Sequence, residues 1–216
     1  MPAPTASPVT TLGPFQQLRA GRLGRRLPQL SAGLVLYGLS LAMLIRGDLG
    51  LPPWDVLAQG LHRRLPVSFG TITIVVGALV LLLWIPLRQR PGLGTLANVL
   101  VVGLAIDLGL WLIPETVDLP TRIALLVAGV VLNGVAGATY IGSQFGPGPR
   151  DGLMTGLAAR SGRSLRLIRT GIELVVLIIG FLLGGTVGIG TVAYALAIGP
   201  LVQFFLRWTA VRLEPS

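Results

Sequence analysis

The chain has 216 residues, of which 52% are apolar and only 12% are charged, and its mean hydropathy is +0.79. This composition excludes an ordinary soluble domain, so the net charge of +9 indicates membrane topology rather than nucleic-acid binding. The chain has no cysteine and a single histidine, which excludes disulfides, thiolate metal sites and multi-histidine metal sites. We therefore expect no metal and no cofactor.

Six apolar stretches follow a polar N-terminal segment, and each has about the 20 residues that a bilayer-spanning helix needs. We expect residues 1–26 to form a disordered cytoplasmic tail and residues 209–216 to form a second short cytoplasmic tail. The predicted transmembrane helices between them cover 28–46, 69–87, 95–113, 122–143, 170–187 and 190–207. The sequence thus predicts an all-α polytopic membrane protein that contacts the lipid bilayer.

The arginines predict the orientation of the chain. With the N-terminus in the cytoplasm, 13 of the 17 arginines lie on the cytoplasmic side, and only Arg46, Arg63, Arg64 and Arg122 lie outside. Positively charged loops are retained in the cytoplasm during insertion. Both termini are therefore expected to be cytoplasmic.

The second half of the chain repeats the first at an offset of 96 residues. Residues 31–111 align without a gap with residues 127–207, and 26 of the 81 aligned positions are identical. The identical residues include glycine, proline and aspartate, which two unrelated apolar segments would not share at one offset. Each repeat, 27–113 or 122–208, holds three predicted spans, and an odd number reverses the orientation of the second copy. We therefore expect two inverted three-helix repeats.

Between the first and second spans of each repeat lies a segment that is too polar to span the bilayer. Residues 50–66 and 146–162 both begin with glycine and proline, which break a helix, and continue with an aspartate where a new helix begins. Each repeat thus contains an extra short helix, which either lies at the membrane surface or re-enters the membrane toward a shared centre.

Several strings together carry a family resemblance. They are Pro53-Trp54-Asp55, Gly92-Leu93-Gly94-Thr95 with Asn98, Gly148-Pro149-Arg150-Asp151-Gly152-Leu153-Met154, Arg169 with Glu173, and Gly184-Gly185-Thr186-Val187-Gly188-Ile189-Gly190-Thr191. With these residues the chain resembles the YczE-type branch of the YczE/YyaS/YitT family of bacterial integral membrane proteins, from about residue 28 to residue 208. The resemblance implies a multi-pass protein of the bacterial plasma (inner) membrane, and it implies no substrate.

The two short segments supply three candidate site residues. Asp55 and Asp151 are equivalent in the repeat, and each either caps its helix or faces a central site from one side of the membrane. Arg150 either binds an anionic group or anchors the cytoplasmic loop.

The spans contain further polar candidates for the substrate or ion pathway. Asp107, in the third span, and Glu173, four residues after Arg169 on one helix face, are costly in the membrane, which favours function. The alternatives are helix packing for Asp107 and a structural ion pair for Glu173. Five further polar residues either form interhelical hydrogen bonds or line a polar cavity. They are Asn98, Asn133, Tyr37, Tyr140 and Tyr194.

Three functions are considered. The leading hypothesis is an ion- or proton-coupled secondary transporter of an unknown small molecule, with Asp107, Glu173 and Asp151 in the coupling and substrate at the repeat interface. The alternative is a non-transporting accessory or assembly protein that acts through a protein partner. An enzyme is not expected, because no catalytic constellation is present. The small size is compatible with a homodimer.

Overall fold

The computed structural model describes residues 14–211 and Leu213, and these residues form helices without strands. The remaining residues of the two expected tails lie outside the described residues. In chain order the helices are α1 Pro14–Arg19, α2 Leu23–Gly47, α3 Pro53–His62, α4 Phe69–Leu82, α5 Trp84–Leu87, α6 Leu93–Leu112, α7 Leu119–Gly142, α8 Pro149–Ser161, α9 Leu165–Leu182 and α10 Ile189–Thr209.

Five helical segments in the described part of the chain are long and apolar enough to cross a bilayer. They are α2, α6, α7, α10 and the segment Phe69–Leu87, which comprises α4 and α5. Helix α9 is also long and apolar in its second half, but its first half carries Arg166, Arg169 and Glu173. Many large apolar side chains point outward, for example Leu104, which is 63% exposed. These features are those of a polytopic helical membrane protein.

Two sequence expectations differ from the structure. Residues 14–26, expected to lie in a disordered tail, are mostly helical, and α2 begins at Leu23. The fifth apolar helix was expected at 170–187 but occupies Leu165–Leu182. It begins earlier because the Ser164 side chain accepts a hydrogen bond from the Leu167 amide. It ends earlier because Gly184 adopts a φ of +102°, which a helix cannot continue.

Helix α2 lies at the centre of the packing. It packs along both α6 and α7, while α7 also packs on α10 and α4 packs on α6. Small residues permit close approach, since a Cβ atom on Gly33 would lie 2.6 Å from the Tyr140 amide nitrogen, and one on Gly38 would lie 2.6 Å from the Val102 carbonyl oxygen. These two glycines therefore allow α2 to pack closely against α7 and α6.

Each of the two short helices packs against at least one helix from the other half of the chain. Helix α3 packs mainly on α9, and α8 packs on α4, α5 and α9. Their N-terminal turns are inside the protein, as Asp55 and Val56 are 1% and 0% exposed, and Gly152 is buried. Their C-terminal ends reach the surface, where Arg64 and Arg160 are exposed. This burial favours half-helices that enter the protein over helices that lie at its surface.

The backbone recurs at the offset of 96 residues. Helices α3 and α8, α4 and α9, and α6 and α10 begin at equivalent positions. The breaks before the short helices also correspond, because Asp48 and Gln144 are both left-handed and Gly50 and Gly146 have φ values of +113° and +104°. Glycine adopts this region without a steric penalty. The repeat in sequence is therefore a repeat in local structure.

Candidate functional site

Each helix break is held by the start of the last long helix of the other half, α6 or α10. The Gly94 amide at the start of α6 donates to the Phe145 carbonyl at 2.9 Å, and the Gly190 amide at the start of α10 donates to the Leu49 carbonyl at 2.8 Å. These pairs are equivalent at the 96-residue offset. Non-helical backbone at membrane depth requires such partners, because lipid offers none. The two helix breaks are therefore stabilised by specific hydrogen bonds within the fold.

Two equivalent arginines complete this bracing. Arg26 donates to the carbonyls of Ser143 at 2.9 Å and Gln144 at 3.0 Å, and its guanidinium lies 4.2 Å from the centre of the Phe145 ring. Arg122, 96 residues later, donates to the carbonyls of Gly47 at 2.8 Å and Asp48 at 2.5 Å. Each arginine thus satisfies carbonyls at the C-terminal end of a helix, where they have no partner within the helix.

The N-terminal turns of α3 and α8 meet through their side chains. Nη1 of Arg150 lies 3.6 Å from Oδ2 of Asp55, and the Arg150 guanidinium lies 5.2 Å from the centre of the Trp54 ring. Asp55 is buried, and its Oδ1 atom has no hydrogen-bond partner in the described part of the protein. Trp54 and Arg150 are equivalent in the repeat, so the contact joins matching positions. We call these three residues the junction.

The aspartates do not cap their helices, although capping was one reading of the sequence. The N-cap residues are Pro52 and Gly148, and neither has a side-chain capping hydrogen bond. Asp55 and Asp151 stand three residues after these N-caps, in the first turn. Their carboxylates are therefore available for contacts between helices, which favours the reading in which they face a central site.

A polar cavity of about 50 Å³ adjoins the junction. Polar residues from several helices contribute to its lining. They are Tyr37, Thr73, Asn98, Tyr140, Arg150 and Asp151. About 10–15 Å³ is enough for one water molecule, so the cavity holds a few waters or one small polar group. In this conformation it accommodates part of a metabolite rather than a whole one.

On the far side of the cavity, three charges form a chain. Arg169 of α9 lies 2.9 Å from Oδ1 of Asp151 and 3.4 Å from Oε1 of Glu173, and Asp151 also accepts from the Tyr140 hydroxyl at 3.5 Å. The predicted pairing of Arg169 with Glu173 is present, and Asp151 competes for the same guanidinium. The side chains of these charges are 39–54% exposed, so the pairs are weak and exchangeable.

The two asparagines have different surroundings. Asn98 lines the cavity. Asn133 is completely buried, donates to the Ser40 hydroxyl at 2.8 Å and accepts from the Tyr194 hydroxyl at 2.9 Å. These are interhelical hydrogen bonds between α2, α7 and α10, the first reading of the sequence. Asn98 fits the second reading.

Asp107 lies apart from the junction. Its carboxylate accepts from the Ser68 hydroxyl at 2.5 Å and from the Gly70 amide at 2.7 Å, at the first turn of α4. A carboxylate is favourable at a helix N-terminus, where the amides have no partners within the helix. The structure thus gives Asp107 the packing role that was its alternative.

Tyr37 and Tyr140, which were expected either to form interhelical hydrogen bonds or to line a polar cavity, lie in the lining of this cavity. Sequence reasoning missed Trp84 and Arg26. Trp84 donates from its indole nitrogen to the Pro149 carbonyl at 3.0 Å, which fixes the start of α8. Arg26 was assigned to the tail. An extension of the 96-residue alignment by five positions would have paired Arg26 with Arg122, which is the signal that could have found it.

Comparisons with known proteins agree with the membrane architecture. A family described as a family of unknown function (DUF6198) matches residues 24–207. An uncharacterised protein of Haemophilus influenzae is 38% identical over 81% of this chain and 80% of its own length. The uncharacterised membrane protein YczE of Bacillus subtilis is 30% identical over 81% of this chain and 82% of its own. The uncharacterised protein YyaS of the same species is 27% identical over 81% and 89%. No solved structure matches.

Proposed function

The chain belongs to the DUF6198 family of unknown function, with YczE and YyaS among its relatives, and we propose that it is an ion- or proton-coupled secondary transporter of a small molecule. The observation that carries this proposal is the junction. Two half-helices meet where the buried Asp55 faces Arg150, whose side chain is 26% exposed, beside a cavity with polar lining residues. Interrupted helices whose N-termini face a central site are the arrangement by which many transporters bind their substrates.

Burial of the Asp55 carboxylate costs free energy, which supports a functional role for it. A charged pair inside a membrane protein contributes little net stability compared with an apolar pair of similar volume. Ionisable residues at membrane depth therefore mark binding sites and ion pathways more often than structural sites. The cost is greatest for Asp55, because only one of its two oxygens faces a partner.

We also propose six spans in two inverted repeats, in the bacterial plasma membrane, with both termini in the cytoplasm. The bracing of the two helix breaks by Arg26 and Arg122 supports the repeat, since these arginines bind equivalent carbonyls. In this arrangement α9 is the fifth of the six spans in chain order, with its charged first half at the cytoplasmic side, where Arg169 and Glu173 face Asp151.

In this scheme the charged residues have different roles. Substrate binds at the junction and cavity, and the carboxylates around them, including Asp151 and Glu173 on the cytoplasmic side, couple transport to an ion or a proton. Because Arg169 is shared between two carboxylates, protonation of either one transfers the guanidinium to the other. Asp107 remains a helix cap.

A ligand screen tests the transport site. We expect a small molecule from a metabolite panel to raise the melting temperature of the purified protein in detergent, since a ligand at a hundred times its Kd stabilises by about 2.7 kcal/mol. The shift should disappear in Asp151→Asn and persist in Arg163→Gln, an exposed change on the link between α8 and α9. If no compound binds and Asp151→Asn behaves as the parent in cells, a partner protein would replace transport as the explanation.

The topology has its own test, which the absence of cysteine simplifies. Arg64 and Arg160 are equivalent in the repeat, and both are exposed at the ends of α3 and α8. Single cysteines at these positions should react with an impermeant reagent from opposite sides of the membrane. Reaction of both from one side would rule out the inverted arrangement.

A further inference from the structure

We propose that the junction binds an anionic group of the substrate and takes up one proton with it, because the anion displaces Asp55 from Arg150. Asp55 is thus an internal counter-ion that occupies the position of the substrate in the empty protein. This inference rests on the proposed transport function and adds to it a substrate class, small carboxylates or similar monoanions, and a coupled ion.

The first step concerns the availability of Arg150. Its guanidinium lines the cavity, and its distance of 3.6 Å to Asp55 exceeds the 2.7–2.9 Å that is typical of a strong charge-assisted hydrogen bond. The pair is therefore loose. An anion in the cavity can reach the guanidinium with better geometry than Asp55 has now, and arginine suits planar anions such as carboxylates.

The second step concerns the field around Arg150. Helix α8 begins beside the cavity at Gly148, and no side chain caps its first turn. Helix α3 also directs its N-terminal end at the junction. Two helix N-termini and one guanidinium favour a negative guest. The Asp151 carboxylate beside them does not cancel this preference, since Arg169 lies 2.9 Å from it.

The third step concerns the fate of Asp55. Its Oδ1 atom has no partner in the described part of the protein, and Arg150 is the cation that faces its Oδ2 atom. The hydroxyls of Tyr37 from α2 and Tyr194 from α10 are close enough to interact with it electrostatically, and the charges on α9, Arg169 and Glu173, face Asp151 instead. A buried carboxylate without a cation takes a proton. One proton from water then binds to Asp55 for each anion that binds to Arg150, so the occupied junction keeps the net charge of the empty one.

The size of the cavity limits the guest. About 50 Å³ suits a carboxylate or nitrate group and excludes a large metabolite. Two sources supply such a group, a free small anion and the anionic end of a longer molecule. Formate, acetate and nitrate represent the first source, and benzoate represents the second.

The experiment measures binding and proton uptake together. The full-length protein in detergent is titrated with sodium formate, acetate, nitrate and benzoate, and with ammonium chloride as the cationic comparison, by melting temperature from pH 5 to 8. A pH-indicator dye in weak buffer counts the protons. We expect the Kd of at least one anion to rise about tenfold per pH unit over the pH range in which Asp55 is ionised in the empty protein and protonated in the occupied one, which is the slope for one linked proton. About one proton should be taken up for each bound anion.

Variants locate the two groups. In Asp55→Asn the anion should bind with no pH slope and no proton uptake, in Arg150→Gln its Kd should rise more than tenfold, and in Arg163→Gln nothing should change. The slope in the parent protein does not depend on the folding of any variant. A flat slope, or binding of ammonium but none of the anions, overturns the inference. If instead a neutral or cationic metabolite binds and requires Asp151, transport stands and the anion assignment falls.

Discussion

Replacement of Arg26 by alanine should destabilise the protein more than any other removal of a single arginine discussed above. Arg26 is 0% exposed and donates to the carbonyls of Gln17 at 2.6 Å, Ser143 at 2.9 Å and Gln144 at 3.0 Å. A hydrogen bond with a charged partner contributes about 1.5–3 kcal/mol, and a buried carbonyl that loses its donor costs about 1–3 kcal/mol. Because these bonds and a longer one to the Gly21 carbonyl at 3.3 Å share one side chain, we expect about 3–5 kcal/mol, the usual cost of breaking a buried charged network.

Arg122 is the matched control in the other half. Its side chain is 26% exposed, it binds two carbonyls, and water can replace it there, so Arg122→Ala should cost only about 1–2 kcal/mol. For a soluble domain of this size about 2–4 °C corresponds to 1 kcal/mol, which predicts losses of about 6–20 °C and about 2–8 °C. Tryptophan fluorescence during heating in detergent measures both. A loss below about 2 °C for Arg26→Ala would refute the idea that this arginine holds its helix break. A loss for Arg122→Ala that exceeds the loss for Arg26→Ala would refute the argument that burial sets the difference.

Three further predictions concern carboxylates. Arg150→Met should lower the melting temperature at neutral pH by leaving Asp55 without a cation, and the double variant with Asp55→Asn should recover most of the loss; independent, additive effects would contradict the pairing. Asp107→Leu should lower the free energy of unfolding by about 0.5–2 kcal/mol, because a helix cap is lost. Asp107→Asn should leave ligand binding at the junction unchanged. A pH series of melting curves with and without ligand can establish this. At the surface, hydrogen bonds from Thr116 and Thr121 hold the pKa of Asp118 at about 2, below its usual value of about 3.9. The stability that Asp118 contributes is therefore present at neutral pH and lost as the pH falls from about 4 through 2, and in Asp118→Asn this acid-dependent loss should be absent.

The sequence predicted the local structure of the repeat well. The starts of α3 and α8 fall where glycine and proline exclude a continuing helix, and a change of backbone direction at such residues depends only on local sterics. The ends of α9 were less accurate, because Ser164 begins that helix within a polar stretch where hydropathy gives no signal.

The contacts between the halves could not be predicted in the same way. The repeat indicates that Asp55 and Asp151 are equivalent, but it does not indicate which residues they face. Arg150 lies next to Asp151 in sequence and yet pairs with Asp55 in the other half, because the first turn of α8 directs the two neighbouring side chains apart. Periodicity gives the faces of a helix, and only the packing of the helices decides which faces meet.

The packing of α3 on α9 has a consequence for biosynthesis. When α3 leaves the ribosome, the helix that will cover it has not been made, and lipid cannot solvate its carboxylate or its buried Gln59. The packing around α3 can therefore be completed only after α9 has been synthesised. Until then, the polar groups of α3 need water or the rest of the N-terminal half as their partners.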